Sequence, residues 1–337
     1  MKKGRKTIFL IIPTILPIFI MFLSLFIGRY PLAFSDVIKI LCSKLGYDMV
    51  GITKMQYSII WNLRMPRAIL GLMVGGSLAI SGGALQGLFR NPLVDTGILG
   101  VNAGAGFGAA LSVVMFNNIY LTYIFAFGFG ILAVTLSYLT GRIYNTTPTV
   151  MLVLGGIVVS SVFVALLSFV KYLADPYDQL PTIVFWLMGS LARASYEDIM
   201  IAMIPMLLGI LGLMLIRWRV NVISMGDREA RTLGINVRLT KILVVFCTAM
   251  ATAGAVCVSG TIGWIGLIIP HIGRMIVGND NRLLLPTSLS LGASFLIIID
   301  SLGRMLTGTE LPLNILTALV GGPFFIYLLR KTKGGSW

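Results

Sequence analysis

Charged residues are scarce in this chain. Only 11% of its 337 residues are charged and 57% are hydrophobic, whereas soluble domains carry roughly 25% charged residues. A soluble protein of this length could not cover its surface with so few charges. The composition therefore excludes a soluble enzyme and predicts a helical protein of the lipid bilayer. The formal net charge of +14 then belongs to the loops of a membrane protein, and we expect no nucleic-acid partner.

Cysteine, histidine and the common catalytic motifs are also scarce or missing. Cys42, Cys247 and Cys257 form no C-x-x-C pair, and the single His271 cannot build a cluster of histidine ligands. The sequence contains no G-x-x-x-x-G-K-S/T loop for ATP, no H-E-x-x-H and no G-x-S-x-G. We therefore expect no catalytic residue, no metal site and no cofactor, which disfavours an intramembrane enzyme.

Long apolar runs, in contrast, fill the sequence. The N-terminal M-K-K-G-R-K precedes a run that is long for a signal peptide and lacks a small-x-small cleavage site, so we interpret it as an uncleaved transmembrane helix. Because a span needs about 20 apolar residues, the sequence predicts one all-α polytopic membrane domain, 1–337. Its ten spans are 8–28, 68–87, 93–115, 119–140, 149–170, 199–216, 239–258, 262–277, 283–303 and 313–329. The short apolar segment 180–191 is predicted to be re-entrant or interfacial.

The distribution of basic residues predicts the orientation. With ten spans and the N-terminus in the cytoplasm, seventeen of the 26 Lys and Arg residues fall on the cytoplasmic side and nine fall outside. Cytoplasmic loops of membrane proteins carry the excess of Lys and Arg. The sequence therefore predicts a multi-pass protein of the cell membrane with both termini in the cytoplasm.

The chain also contains a weak internal repeat. A shift of 178 residues superimposes the second span on the seventh without a gap and places Gly76 on Gly254, Ser81 on Ser259, Gly82 on Gly260, Pro92 on Pro270, Ile98 on Ile276 and Gly100 on Gly278. These two spans run in opposite directions in a ten-span protein. The pattern therefore indicates an inverted repeat, which is common in transporters.

The run from Arg64 to Ala105 is apolar but crowded with Gly, Asn, Gln and Pro. Small residues let helices pack closely, and helix breakers free backbone groups that can line a cavity. We predict helix breaks at Asn91 and Pro92 and at Pro270 and His271. For the histidine we favour a packed, hydrogen-bonding role over a substrate contact.

Three arginines are predicted on the outer side, against the charge rule. Arg64 and Arg67 flank a proline before the second span, and Arg304 ends the ninth span. They either dock an acidic partner or reach to lipid phosphates. Asp300 is the clearest acid within a span, and it either pairs with Arg304 one helical turn away or serves as a proton site.

The stretch S-M-G-D-R-E-A-R-T-L-G-I-N-V, in the long loop after the sixth span, has the signals of a short helix. Ser224 is a candidate N-cap with Asp227 three residues later, and Gly234 is a candidate stop. The pattern predicts a charged cytoplasmic helix over about 224–235. It is either a contact for a soluble partner or an ordinary connection.

Eight motifs taken together resemble a known family. In order they are R-M-P-R, S-G-G-A-L-Q-G-L-F-R-N-P-L, I-L-G-V-N-A-G-A, F-W-L-M-G-S-L, G-D-R-E-A-R-T-L-G-I-N-V, G-x-I-G-L-I-I-P-H-I-G-R, D-S-L-G-R and E-L-P-L-N-I-L-T-A-L-V-G-G-P-F-F. They are similar to the motifs of FecCD-type permeases, the membrane subunits of ABC importers for iron-siderophores, haem and vitamin B12. The resemblance implies two permease subunits around a central pathway, two ATP-binding subunits below and an extracytoplasmic substrate-binding protein above.

The resemblance also implies roles for particular residues. Arg64, Arg67 and Arg304 correspond to arginines that dock the binding protein. The ATPase coupling helix corresponds to Gly226, Asp227, Arg228, Glu229, Ala230, Arg231, Leu233 and Gly234, and the cytoplasmic gate to Asn145, Thr146 and Thr147. The fifth helix, the 180–191 segment and the tenth helix are expected to line the pathway. The sequence departs from the family pattern at Thr96, where a proline is usual, so the third helix is expected to begin less sharply.

The mechanism implied is alternating access driven by ATP on another chain, with no chemistry on the cargo. An iron(III)-siderophore is the first expectation for the cargo, with haem and vitamin B12 as alternatives. The second permease subunit is either another copy of this chain or a paralogue. A different class, an ion-coupled secondary transporter with Asp300 as the coupling acid, is the rival hypothesis.

Overall fold

A computed structural model describes residues 15–43, 51–142, 148–306 and 310–331. Its elements are helices and connecting loops, with no strand in these four ranges, so the predicted all-α fold is confirmed. The helices are α1, described over Ile15–Ser24, α2 Phe34–Cys42, α3 Lys54–Ser58, a π-helical turn Ile59–Arg64, α4 Met65–Phe89, α5 Val101–Phe116, α6 Ile119–Thr140, α7 Thr149–Leu173, α8 Gln179–Leu187, α9 Tyr196–Ile223, α10 Asp227–Thr232, α11 Val237–Ser259, α12 Ile265–Val277, α13 Asn281–Leu306 and α14 Leu313–Lys331.

Within the four described ranges, six helical segments are long and apolar enough to cross a membrane. They are Lys54–Phe89, which joins α3, the π turn and α4, together with α6, α7, α9, α11 and α13. Helices α1, α5, α12 and α14 are apolar but shorter over the described residues. The 16 residues of α5 extend only about 24 Å, less than the roughly 30 Å of hydrocarbon. The number of ten spans therefore stays a prediction.

Helix α4 lies at the centre of the molecule and packs along α13. Both helices owe this closeness to glycine, because a Cβ on Gly75 would lie 2.3 Å from the Gly292 carbonyl oxygen. Helices α6, α7 and α9 lie at the periphery and leave most of their apolar surface outside the protein. A membrane protein is expected to have such a face toward lipid.

The predicted third span, 93–115, is wrong in its first part because α5 begins only at Val101. Residues 90–100 form an irregular segment instead. Its turn is held by Asp95, whose Oδ1 accepts a hydrogen bond from the Gly97 N–H at 2.8 Å, and by Gly100, which has a φ of +83° that favours glycine. Thr96, at the position of the usual proline, is buried in this segment.

The predicted break at Pro270 and His271 is also wrong, since both residues lie inside α12, which continues to Val277. The chain instead breaks before α12, where Gly260 and Trp264 have φ values of +69° and +72°. Asn91 and Pro92 lie in the irregular segment after α4. The helix survives Pro270 because another side chain replaces the lost hydrogen bond, as described below.

The predicted helix at 224–235 is shorter than expected. Ser224 does not cap it, because this residue follows α9 and its hydroxyl donates to the Asn221 carbonyl. Helix α10 begins at Asp227 after Gly226, whose φ of +138° requires a residue without a Cβ. Gly234, with a φ of +75°, ends the turn as predicted.

The internal repeat is not visible in the local structure at its matched positions. Gly100 precedes α5 whereas Gly278 follows α12, although both have positive φ. Pro92 is outside a helix whereas Pro270 is inside one. The inverted repeat therefore stays a prediction.

Candidate functional site

A cavity of about 890 Å³ lies among α5, α7, the irregular segment 90–100, the connection that precedes α12 and the start of α14. It is lined by both apolar and polar side chains, and its α7 side is open in the single chain. The polar side chains that line it are Asp95, Asn102, Ser160, Ser161, Thr261 and Asn314. Among the described residues that line it, none is Lys, Arg or His, and Asp95 is the one carboxylic acid.

The irregular segment presents two of these polar groups side by side. A Cβ on Gly97 would lie 3.0 Å from Asn102 Nδ2 and 3.3 Å from Asp95 Oδ1, so both side chains crowd the same glycine. The Oδ1 of Asn102 is buried and accepts no hydrogen bond from the described part of the chain. The irregular segment therefore places polar side chains beside the cavity.

The opposite wall is built where α8, α12 and α14 meet. The Oδ1 of Asn314 accepts a hydrogen bond from the Gly263 N–H at 3.1 Å, and the backbone N–H of Asn314 donates to the Met188 carbonyl at 3.1 Å. The hydroxyl of Thr261 donates to the Leu187 carbonyl. The 180–191 segment, expected to line the pathway, contributes no residue to the cavity lining. Its Leu187 and Met188 carbonyls instead accept the hydrogen bonds from the lining residues Thr261 and Asn314.

Gln86 joins the irregular segment to α12, and beyond its place in a motif no local pattern indicates this role. Pro270 has no N–H, so the Gly266 carbonyl four residues earlier loses its helical partner. The Nε2 of Gln86 donates to this carbonyl at 3.2 Å and to the Val94 carbonyl at 3.1 Å. Its Oε1 accepts from Arg274 Nη1 at 2.6 Å. One buried amide of α4 thus fixes both α12 and the irregular segment beside the cavity.

Arg64, Arg67 and Arg304 lie at one end of the bundle, and the protein already engages all three. Arg64 is only 5% exposed and donates to the carbonyls of Leu25 and Tyr30, both at 2.6 Å. These bonds fasten the segment after α1 to the π-helical turn that precedes α4. Its side chain therefore has a structural role in this arrangement.

Arg67 is the centre of an ion-pair cluster. Its Nε donates to both carboxylate oxygens of Asp300 at 2.9 Å, and its Nη2 donates to Asp300 Oδ1 at 2.7 Å. The Nη1 donates to Glu310 Oε1 at 2.8 Å. Arg304 lies on the other side, with its Nε 3.3 Å from Asp300 Oδ2 and its Nη2 donating to Ser301 Oγ at 3.0 Å. Asp300 therefore holds two arginines, and it is not among the residues that line the cavity.

At the other end of the bundle, one face of α10 is anchored to the body of the protein and the opposite face is exposed. Lys241 of α11 is 1% exposed, and its Nζ lies 2.6 Å from Asp227 Oδ2. Ala230 is buried against the body, whereas Arg228, Glu229, Arg231 and Leu233 are exposed. The helix thus presents a charged, fixed surface. The expected gate residues Asn145, Thr146 and Thr147 lie outside the described residues.

Comparison with known proteins gives a consistent result. The model of the FecCD transport family matches residues 15–331. The chain is 40% identical to the molybdate import system permease protein MolB of Haemophilus influenzae, over 96% of this chain and 95% of the relative. It is 43% identical to an iron chelatin transport system permease protein of Helicobacter pylori, over 82% and 83% of the two chains.

The fold also matches that of a solved transport protein. A metal-chelate type ABC transporter in an inward-facing conformation superimposes with a TM-score of 0.85 and 37% sequence identity. The match covers 95% of this chain and 97% of the solved chain. The helical arrangement described above is therefore that of a transport protein of the membrane.

Proposed function

Because this chain belongs to the FecCD transport family, as its motifs predicted, we propose that it translocates a metal chelate inward by alternating access. It is a multi-pass membrane permease, a transport component rather than an enzyme. The cavity is the observation that carries the proposal. An open cavity of about 890 Å³ that places Asp95, Asn102 and Asn314 within an apolar helical body is costly in a bilayer unless water, cargo or a second subunit covers these groups.

The proposal assigns the energy source to other chains. Two ATP-binding subunits contact α10 from the cytoplasm, and closure of their dimer moves this helix. The fixed anchoring of α10 by Lys241 and Asp227 supports such a role, because a movement of α10 is then transmitted directly to α11. Both termini lie in the cytoplasm in this arrangement, and a substrate-binding protein docks at the opposite end.

A second permease subunit completes the pathway. The lining residues Ile157 and Val164 belong to α7, which leaves much of its surface exposed in the single chain. Polar groups beside such an open face need cover from protein in a bilayer. Another copy of this chain or a paralogue supplies that cover.

The cargo is proposed to be an iron(III)-siderophore. The name of the Helicobacter pylori relative contains iron chelatin. The name of the Haemophilus influenzae relative, whose match is longer, contains molybdate. The metal-chelate type of the solved transporter, which matches 95% of this chain, supports the chelate over the oxyanion. Uptake of radiolabelled ferric siderophore by a strain with this transporter as its sole importer is expected. Uptake of molybdate in its place would assign the oxyanion.

Blocking the cavity is expected to stop transport. Ser161→Trp places a large side chain in the lining from an exposed position of α7, and we expect uptake to fall at least about tenfold, which corresponds to roughly 1.4 kcal/mol. Thr135→Trp is the matched control, since Thr135 on α6 is also exposed and its hydroxyl also donates to a carbonyl one turn earlier. Equal uptake by the two variants would show that the cavity is not the pathway.

A further inference from the structure

The ion-pair cluster around Arg67 holds its two carboxylates in different ways. Asp300 is 4% exposed and accepts three hydrogen bonds from Arg67. This bidentate geometry fixes the plane of the guanidinium. Asp300 lies inside the bundle on α13, so a carboxylate that approaches from outside cannot take its place.

Glu310 is held much less firmly. It accepts one hydrogen bond from Arg67, and its side chain is 32% exposed. Ion pairs that are open to solvent contribute little to stability, because water screens the two charges. Arg67 keeps its position through Asp300 when Glu310 leaves. The Nη1 of Arg67 is then a preformed donor site for another carboxylate.

The charge of the cluster favours such an exchange. Arg64, Arg67 and Arg304 carry three positive charges, while Asp300 and Glu310 carry two negative charges. Departure of Glu310 raises the local charge from +1 to +2 at the end of the bundle where the docking protein is proposed to bind. An acidic group on that protein gains both the vacated donor and the stronger field.

We propose that Glu310 is an exchangeable stand-in for a carboxylate of the docking protein, and that docking displaces it from Arg67. This inference rests on the proposed function, which provides the docking protein. The exchange sets the affinity of docking, since each binding event must first break the internal pair.

The exchange of Glu310 also affects the start of α14, because Glu310 lies just before this helix in the chain. Glu310 lies four residues before Asn314, which lines the cavity, and its bond to Arg67 ties the start of α14 to α4. Displacement of Glu310 removes this tie. Docking thereby loosens the end of the helix that carries a lining residue.

The test is a binding measurement on Glu310→Gln. The permease and its ATPase in nanodiscs are titrated with the substrate-binding protein encoded with them, and the Kd is measured. Removal of a competing pair worth up to 1 kcal/mol is expected to tighten docking by about three- to fivefold. Glu197→Gln is the matched control, because Glu197 at the same end accepts its hydrogen bond from the Tyr120 hydroxyl and is not part of the cluster; its Kd is expected to stay unchanged.

The outcomes separate the two proposals. If the wild-type permease binds and Glu310→Gln binds equally or more weakly, Glu310 is not a stand-in, whereas the proposed function stands. If the wild-type permease does not bind the protein at all, the proposed function fails and the stand-in fails with it. Thermal unfolding of Glu310→Gln at the wild-type temperature confirms that the variant is folded.

Discussion

Asp300→Ala is expected to lower the free energy of unfolding by about 3–5 kcal/mol, the cost of breaking a buried ion pair from one side. The reason is that Arg67 and Arg304, with side chains 11% and 10% exposed, lose the carboxylate they share. Glu310 remains near Arg67 only. Two neighbouring cations are then left in a poorly solvated site. Chemical denaturation in detergent or nanodiscs measures the change.

Asp280→Ala is the matched control for this prediction. Asp280 also pairs with an arginine, but Arg282 is 55% exposed, and such pairs contribute about 0–1 kcal/mol. The hydrogen bond from Arg282 holds the pKa of Asp280 below its usual value, so Asp280 is charged at neutral pH. Equal losses of stability in the two variants would contradict the structural role of Asp300.

Substitution of Asp300 also distinguishes the proposed function from the rival ion-coupled mechanism. If Asp300 were a coupling acid, Asp300→Asn would abolish uptake and leave the fold intact. The ion pairs with Arg67 and Arg304 support the structural role instead. Loss of uptake is then expected to follow the loss of folded protein.

Gly82→Ala is expected to destabilise the protein by about 3 kcal/mol, at the upper end of the usual cost of overpacking. A Cβ at Gly82 would lie within 3 Å of three backbone atoms of Gly266, so no side-chain rotation can relieve the contact. Helices α4 and α12 must move apart, and this also weakens the bond from Gln86 to the Gly266 carbonyl. The expected results are a lower unfolding temperature and a loss of uptake.

Gly128→Ala provides the control for a glycine in a helix. A Cβ at Gly128 on α6 meets nothing within 4 Å, and alanine favours the helical state by up to about 1 kcal/mol. We therefore expect equal or higher stability for Gly128→Ala. A Gly82→Ala protein as stable as Gly128→Ala would show that α4 and α12 are not in contact as described.

Helices that depend on local signals could be predicted closely from the sequence. The fourth predicted span, 119–140, has the same bounds as α6, because the Oδ1 of Asn118 caps its start by accepting hydrogen bonds from the Tyr120 and Leu121 N–H groups and Gly141 follows its end. The third span was predicted too long. Apolar composition continues through residues 93–100, whereas the Asx turn at Asp95 and the positive φ of Gly100 stop the helix.

The contacts that build the candidate sites depend on residues far apart in the chain. The sequence predicted Arg304 as a partner of Asp300 from their spacing, but Arg67 lies 233 residues away and no local pattern joins them. Asp95 lies in the predicted third span, so the rule on intramembrane acids could have identified it. Gln86 could not be identified in this way, because its role comes from a proline in another helix.

The most direct test of the central claim is uptake by purified components in proteoliposomes. The permease reconstituted with its ATPase and substrate-binding protein is supplied with radiolabelled ferric siderophore and ATP, and accumulation inside the vesicles is measured. The account predicts uptake only when ATP and the ATPase are present, and none by the permease alone under a proton or sodium gradient. Gradient-driven uptake by the permease alone would contradict it.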